Sequence, residues 1–252
     1  MKKSKRALLL MSIAAAVLAI AVMFAGCGLI QSIKGNSDHG ANLDNGQKIT
    51  YEAVLPEDYD LSGLSRDMET ARTVMQRRLE ALGYPEAVCD ITGDRQLVVK
   101  LPPVKDLELT AAELGSKAEI SFADADNKIW LTGADVSDAS YEKSPTDNTG
   151  IARPHVVLKL TEEGRGKLHE ASEAVLARAD RNTYLAILMD GEQISAPYIN
   201  EALDTDSVII TVGSQNDPEE QARYLANIIS AGHMPFALNT VKLQDMASEA
   251  GN

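Results

Sequence analysis

The chain has 252 residues, 44% of them hydrophobic, and a formal net charge of −13. That is enough apolar material for one sizeable core or two small ones. No basic stripe lies beyond the N-terminus, which argues against a nucleic-acid partner. Two cysteines, Cys27 and Cys89, leave no disulfide framework within the folded part.

Lys2, Lys3, Lys5 and Arg6 precede an apolar run over residues 7–25 whose only polar member is Ser12. Positive charge ahead of such a run keeps the N-terminus in the cytoplasm and sends the downstream chain across the membrane. The run ends Phe24-Ala25-Gly26-Cys27. Two small residues before a Cys resemble the lipobox of bacterial lipoproteins, in which that Cys carries lipid, although Phe24 stands where Leu is usual. Residues 1–26 are therefore expected to be a signal peptide with lipid attachment at Cys27. The alternative is an uncleaved membrane anchor. Both place the remainder on the extracytoplasmic side of the cytoplasmic membrane.

Residues 27–48 are rich in Gly, Asn, Asp and Ser and read as a flexible linker. The eighteen of them from Gln31 to Lys48 would reach about 20–25 Å. A strand is expected at 49–55. Residues 64–82 carry Met68, Ala71, Val74, Met75, Leu79 and Leu82 at the spacing of one helical face, with Gly83 at the C-cap position. Strands at 87–92 and 96–101 flank a Gly93-Asp94 turn; a short helix at 106–114 and a strand at 117–123 come next. This β-α-β-β-α-β order is the ferredoxin-like split motif, placed at residues 49–123. Cys89 reads as a small core residue.

Residues 124–154 read as a connection, with a polar loop over 142–153. The β-α-β-β-α-β order then returns at residues 155–243. A strand at 155–160 leads through Thr161 as N-cap into a helix reaching 178. Next come a hairpin over 184–199, an extra strand at 208–212, a helix from Asp217 or Pro218 to 230 ended by Gly232, and a strand at 236–243. Asp190-Gly191 suits the positive φ angles of a two-residue type I′ turn, and Pro197 calls for an edge or irregular position. Residues 244–252 read as a frayed tail. The expected class is α+β, with two ferredoxin-like units forming one base after an N-terminal hydrophobic helix.

Chemistry is sparse. His39, His155, His169 and His233 are scattered without metal-ligand spacing. Ser195 lacks the G-x-S-x-G context of an esterase elbow. Glu162/Glu163 and Glu219/Glu220 sit at helix starts, where they complement the dipole. No catalytic residue, metal or cofactor is expected, and the chain is not read as an enzyme.

The segments LAILMDGEQISAPYINEAL (185–203), MQRRLEALGYPEAVCDITGDRQLVVKLPPVKD (75–106), LTGADVSDASY (131–141), LKLTEEGRGKL (158–168) and ANIISAGHMPFAL (226–238) resemble the SecD and SecDF protein-export subunits in their first large extracytoplasmic domain. The resemblance marks Gly83, Asp190, Gly191, Ala196, Pro197, Gly232 and Pro235 as family-motif residues with turn or structural roles. Its partners would be translocon membrane subunits and unfolded secretory polypeptide. Two departures are expected: a head subdomain reduced to the 124–154 connection, and a stand-alone or truncated relative lacking the proton-coupled membrane helices.

The implied function is a non-enzymatic accessory of protein export that contacts translocating polypeptide or the translocon from the outer face. A second reading is an envelope structural or assembly lipoprotein that kept the fold without an export role. A third, a hydrolase, requires His155 or His169 beside Ser195 in a pocket.

Overall fold

The computed structural model describes residues 43–146, 150–212 and 217–246. The N-terminal apolar run, Cys27 and residues 247–252 lie outside the described residues. The mixed α+β class is as expected; the way the strands pair is not.

Strand β1 (Gln47–Val54) alternates, turning Ile49, Tyr51 and Ala53 inward. Helix α1 (Leu64–Ala81) lays Met68, Ala71, Val74, Met75 and Leu79 on the same core. Its end is a Schellman motif. Gly83, at φ +90°, donates to the Glu80 carbonyl and Tyr84 donates to that of Leu79. Strands β2 (Val88–Thr92) and β3 (Gln96–Leu101) form the expected hairpin. Cys89 is buried among them, and burial pushes its thiol up to about 12. Helix α2 (Leu107–Gly115) starts at Asp106, whose carboxylate accepts from Leu109 N–H at 2.9 Å.

The strand expected to close this unit at 117–123 does not do so. The chain turns at Ala118 (φ +55°) and leaves the sheet. The closing strand is instead the last one, which the chain reaches more than a hundred residues later. With that strand as β11 (Ala237–Asp245), the first sheet has the order β11-β1-β3-β2, all antiparallel. The register explains the choice, because it sets apolar against apolar. Ile49 pairs with both Leu243 and Val99, Ala53 with Leu238, and Tyr51 with Leu97. Everything between α2 and β11 is an insertion into this first lobe.

The insertion, the second lobe, holds two sheets around its own core. Strands β4 (Ile120–Ala123), β5 (Ile129–Thr132), β8 (Ala186–Met189) and β9 (Glu192–Ser195) pair in the order β5-β4-β8-β9. Strands β6 (Val136–Pro145), β7 (Ala152–Leu160) and β10 (Ser207–Thr211) pair as β10-β7-β6. Helices α3 (Glu162–Leu176) and α4 (Pro218–Ala231) complete it. A self-contained second unit over 155–243 is therefore overturned: β7 and the β8–β9 hairpin lie in different sheets, and β11 belongs to the first lobe. The 124–154 connection is in large part β5, β6 and the start of β7. Residues 142–145 and 152–153, read as part of a polar loop, belong to β6 and β7.

Both ends of the folded part are tighter than expected. Residues 43–45 form a 3-10 turn and β1 begins at Gln47, inside the expected linker. A side chain at Gly46 would collide with the Leu101 carbonyl oxygen. Gln244 and Asp245 belong to β11, and Met246 N–H donates to the Gly46 carbonyl at 2.9 Å. The two ends of the described chain thus emerge side by side. Among the described residues, no helix is long and apolar enough to cross a membrane.

Two of the family-like segments, 131–141 and 158–168, meet inside the second lobe. Asp135, almost fully buried, closes a capping box with Thr132 and accepts from Lys167 Nζ at 2.8 Å. Its carbonyl accepts from Thr161 N–H at 2.9 Å. Thr161 caps α3 through Gly164 N–H at 3.0 Å. A Cβ on Gly164 would collide with the Asp135 carbonyl oxygen, a backbone atom that cannot swing aside. Gly164→Ala is expected to lower stability by about 1–3 kcal/mol, and Gly166→Ala, at an exposed helical position where nothing stands within 4 Å, to raise it by about 0.5–1 kcal/mol; urea unfolding of both variants checks the contrast.

Candidate functional site

The chain crosses between the lobes twice, at residues 115–119 going out and 232–236 coming back. The two crossings touch: Met234 N–H donates to the Lys117 carbonyl at 2.8 Å. One side chain grips both. Arg78 lies on the apolar stripe of α1 and is 0% exposed. Its Nη1 donates to the carbonyls of Leu114, at 2.8 Å, and Ser116. Its Nη2 donates to the Gly232 carbonyl at 3.0 Å.

These carbonyls lie at the C-terminal ends of α2 and α4, neither of which has a basic residue in its own last turn. Orphan carbonyls and the negative end of the dipole converge there from two helices. Arg78 supplies the one cation that both lack. Burial pushes its pKa down to about 10, opposed by Tyr224, Asp190 and Tyr51, so the guanidinium stays charged at neutral pH.

The Asp190-Gly191 turn closes the joint from the second lobe. Both residues have positive φ, +54° and +83°, as a type I′ turn requires. The Asp190 carboxylate accepts from Ala118 N–H at 3.1 Å and Glu119 N–H at 2.8 Å, while its own N–H donates to the Glu119 carbonyl at 3.0 Å. The β8–β9 hairpin tip is thereby fixed to the outgoing crossing. Helix α4 bridges as well: Ala222, Leu225 and Ala226 enter the second core, while Asn227 Nδ2 donates to the Ala81 carbonyl at 3.0 Å.

Of the residues singled out in the sequence, Asp190, Gly191, Gly232 and Pro235 gather at this joint. Gly232, at φ +100°, ends α4 against Val74 of α1. Gly83 ends α1 nearby in the chain. Ala196 and Pro197 lie elsewhere. β9 stops at Ser195, and the two residues line an open cleft of about 500 Å3 with Ile194, Ile209 and Thr211. The cleft lies between β9 and β10, the edge strands of the two second-lobe sheets. Ile209 is 44% exposed there, and Tyr198, just beyond, is 73% exposed.

Ser195 borders the same cleft, and the Nδ1 atoms of both histidines face backbone carbonyls. His155 Nδ1 faces the Arg153 carbonyl at 2.9 Å and His169 Nδ1 that of Leu203 at 3.0 Å. Among the described residues, no group of three His, Cys, Asp or Glu side chains could hold a metal ion. The residue that sequence reasoning missed is Arg78. It falls three and four residues after Met75 and Val74, inside the apolar stripe, and a charged residue at such a position marks a buried partner.

Two family models match the chain. The model of the SecDF P1 head subdomain covers residues 109–236. That of the N-terminal part of the P1 domain of protein translocase subunit SecDF covers residues 68–127. The chain belongs to the SecD/SecDF family. The head match runs from α2 to the return crossing, which overturns the expectation of a head reduced to residues 124–154. SecD and SecDF relatives agree. Protein translocase subunit SecD of Acidaminococcus fermentans is 30% identical over 253 residues, covering 100% of this chain and 55% of that protein. Protein translocase subunit SecDF of Thermus thermophilus is 26% identical, covering 84% of this chain and 32% of that protein. The chain spans about half the length of the curated SecD relatives it matches.

Among solved structures, that of a membrane component SecDF that enhances protein export is 25% identical with a TM-score of 0.61, over 78% of this chain and 99% of that one. The crystal structure of SecDF in a super-membrane-facing form has a TM-score of 0.65 at 24% identity, over 96% of this chain and 35% of that one. The second likeness concerns the fold alone. In this SecD/SecDF chain, Asp190→Asn keeps a residue that tolerates the turn but removes the charge and one acceptor. It is expected to lose about 1.5 kcal/mol in urea unfolding, and Asp190→Ala more, since a residue without that tolerance adds about 1–2 kcal/mol of left-handed backbone strain.

Proposed function

We propose that this chain is a non-enzymatic accessory of protein export, working on the extracytoplasmic face of the cytoplasmic membrane. The observation that carries the reading is the pair of adjoining family-model matches, which together run from residue 68 to residue 236. The N-terminal segment would hold the domain at the membrane, either through lipid on Cys27 or as an anchor helix. The side-by-side exit of residues 46 and 246 supports a domain tethered at one place. We read the first lobe as a ferredoxin-like base, supported by its β-α-β-β-α order and closure by β11, and the inserted second lobe as the head.

Contact with translocating polypeptide or with translocon subunits belongs to the head in this reading. The cleft between β9 and β10 supports it physically. Two edge strands offer backbone groups to an extended chain, and Ile194, Pro197 and Ile209 offer apolar side-chain sites. Nothing comparable favours an envelope-assembly lipoprotein without an export role. Photo-cross-linkers at Ile209 and Tyr198, with Leu61 on the first lobe as control, test the proposal in cells carrying a secretory protein arrested during export. The expected result is adducts with the arrested polypeptide at the two head positions and not at Leu61. Equal labelling at all three, or none, contradicts it.

A further inference from the structure

Among the described residues, one face of the first sheet carries no helix. Helices α1 and α2 both pack on the inward face, where Ile49, Tyr51, Leu97 and Val99 are buried with Met75 and Leu114. The outward residues alternate with these and are half-buried or exposed. The register orders them in rows. Gln244, Lys48, Lys100 and Val88 form the row nearest residues 46 and 246, where both ends of the described chain emerge. Lys242, Thr50, Val98 and Asp90 form the next. Lys48, Lys100 and Lys242 thus stand on neighbouring strands, about 5–12 Å apart by strand spacing and rise, with Asp90 as the acid of these two rows. Glu52 lies one row further along, opposite Asn239 and Gln96. Lys48 and Lys100 are directly opposite one another, a like-charged pairing that costs a sheet stability. In a chain of net charge −13, such a basic corner calls for a reason outside the sheet.

We propose that Lys48, Lys100 and Lys242 form a docking face for anionic lipid headgroups, laying the first lobe on the membrane beside its tether. The proposal rests on the reading that the N-terminal segment holds the chain at a membrane. Charge and position select the occupant. A lysine near an anionic lipid surface adds about a fivefold preference, so three add about a hundredfold. That is weak for a free protein, but a tether makes docking intramolecular, at roughly millimolar effective concentration. The acidic remainder of the chain is repelled by the same surface, so the field turns the lysine face toward it. Val88, 39% exposed, and the half-buried Val98 stand among the lysines. Lysine stems can lie along such apolar surface while their ammonium groups reach the lipid phosphates. Strand β11 runs from the return crossing to residue 245, so the lysine rows occupy the end of the sheet away from the joint. Docking there leaves the two crossings and the cleft between β9 and β10 uncovered.

The test adds the full chain, from detergent, to preformed vesicles of phosphatidylcholine alone or of phosphatidylcholine with phosphatidylglycerol. Reaction of each lysine with an acetylating ester is followed by mass spectrometry. The expected result is that Lys48, Lys100 and Lys242 react at least about fivefold more slowly on the anionic vesicles than on the neutral ones. The difference should vanish at molar salt, where the Debye length falls to about 3 Å. Lys159, exposed on β7 of the second lobe, should react alike on both. Lys100→Gln with Lys242→Gln, both on the outward side of the sheet, should bring the protection of Lys48 below about twofold. Flotation with the neutral vesicles reports the tether by itself. A chain that floats with them while its three lysines react alike on both compositions overturns the docking face and leaves the tether standing. A chain that floats with anionic vesicles alone, its three lysines protected, sustains the face and overturns the tether. Protection that grows with protein concentration in detergent, before vesicles are added, assigns the face to a second copy and overturns the proposal, as does protection of Lys48 that survives the double substitution.

Discussion

A single buried guanidinium bonds to backbone on both sides of the joint between the lobes. Each lobe has its own core, and two short crossings and one bridging helix connect them. Burying a cation is costly, typically several kcal/mol before compensation. Arg78 is compensated by carbonyls at the ends of two helices, one in each lobe, and by the favourable field of Asp190. The part supplied by the Gly232 carbonyl and by Asp190 exists only when the lobes are docked. A buried charge that is satisfied across a joint makes partial opening unfavourable, because separation strands either the charge or the carbonyls. The same logic orders the rest of the joint: Asp190 satisfies the outgoing backbone, and Asn227 satisfies the end of α1.

The segments that resemble the SecD/SecDF family acquire a common physical meaning. They are places where backbone meets backbone too closely for ordinary side chains, or where a turn needs a left-handed residue. Gly164 allows α3 to start against Asp135, Gly83 and Gly232 end helices, and Asp190-Gly191 turns and docks a hairpin. They position the surfaces of the head without making those surfaces themselves.

Local structure was legible in the sequence wherever a local rule applied. The stripe of α1, the cap at Thr161, the start of α4 at Asp217–Pro218 and the Asp190-Gly191 turn all stand where periodicity and capping placed them. Strand pairing was not legible, because β4 and β11 are equally good strands by pattern. What separates them is the turn at Ala118 and the register that sets Leu238 and Leu243 beside β1. Strand β6 was missed for another reason. Its outward residues are polar, and they are held from α4, by Arg223 over the Tyr141 ring, Glu219 on Lys143 and Ser230 on Asp138. A strand stabilised by a helix so far along the chain leaves no alternating apolar signature.

The claim that Arg78 couples the lobes is tested most directly by unfolding monitored with two probes. Trp130, the single tryptophan, packs in the second lobe with Nε1 donating to Asp124 at 2.9 Å and Lys128 over its ring. Its fluorescence reports that lobe, and exchange of the β3 amides, around the fully buried Val99, reports the first. In the unaltered chain both probes should report one coincident urea transition. In Arg78→Met, similar in length and without charge, the transitions should separate, each lobe losing protection at its own denaturant concentration. Separate transitions in the unaltered chain, or a single coincident transition in Arg78→Met, would contradict the account.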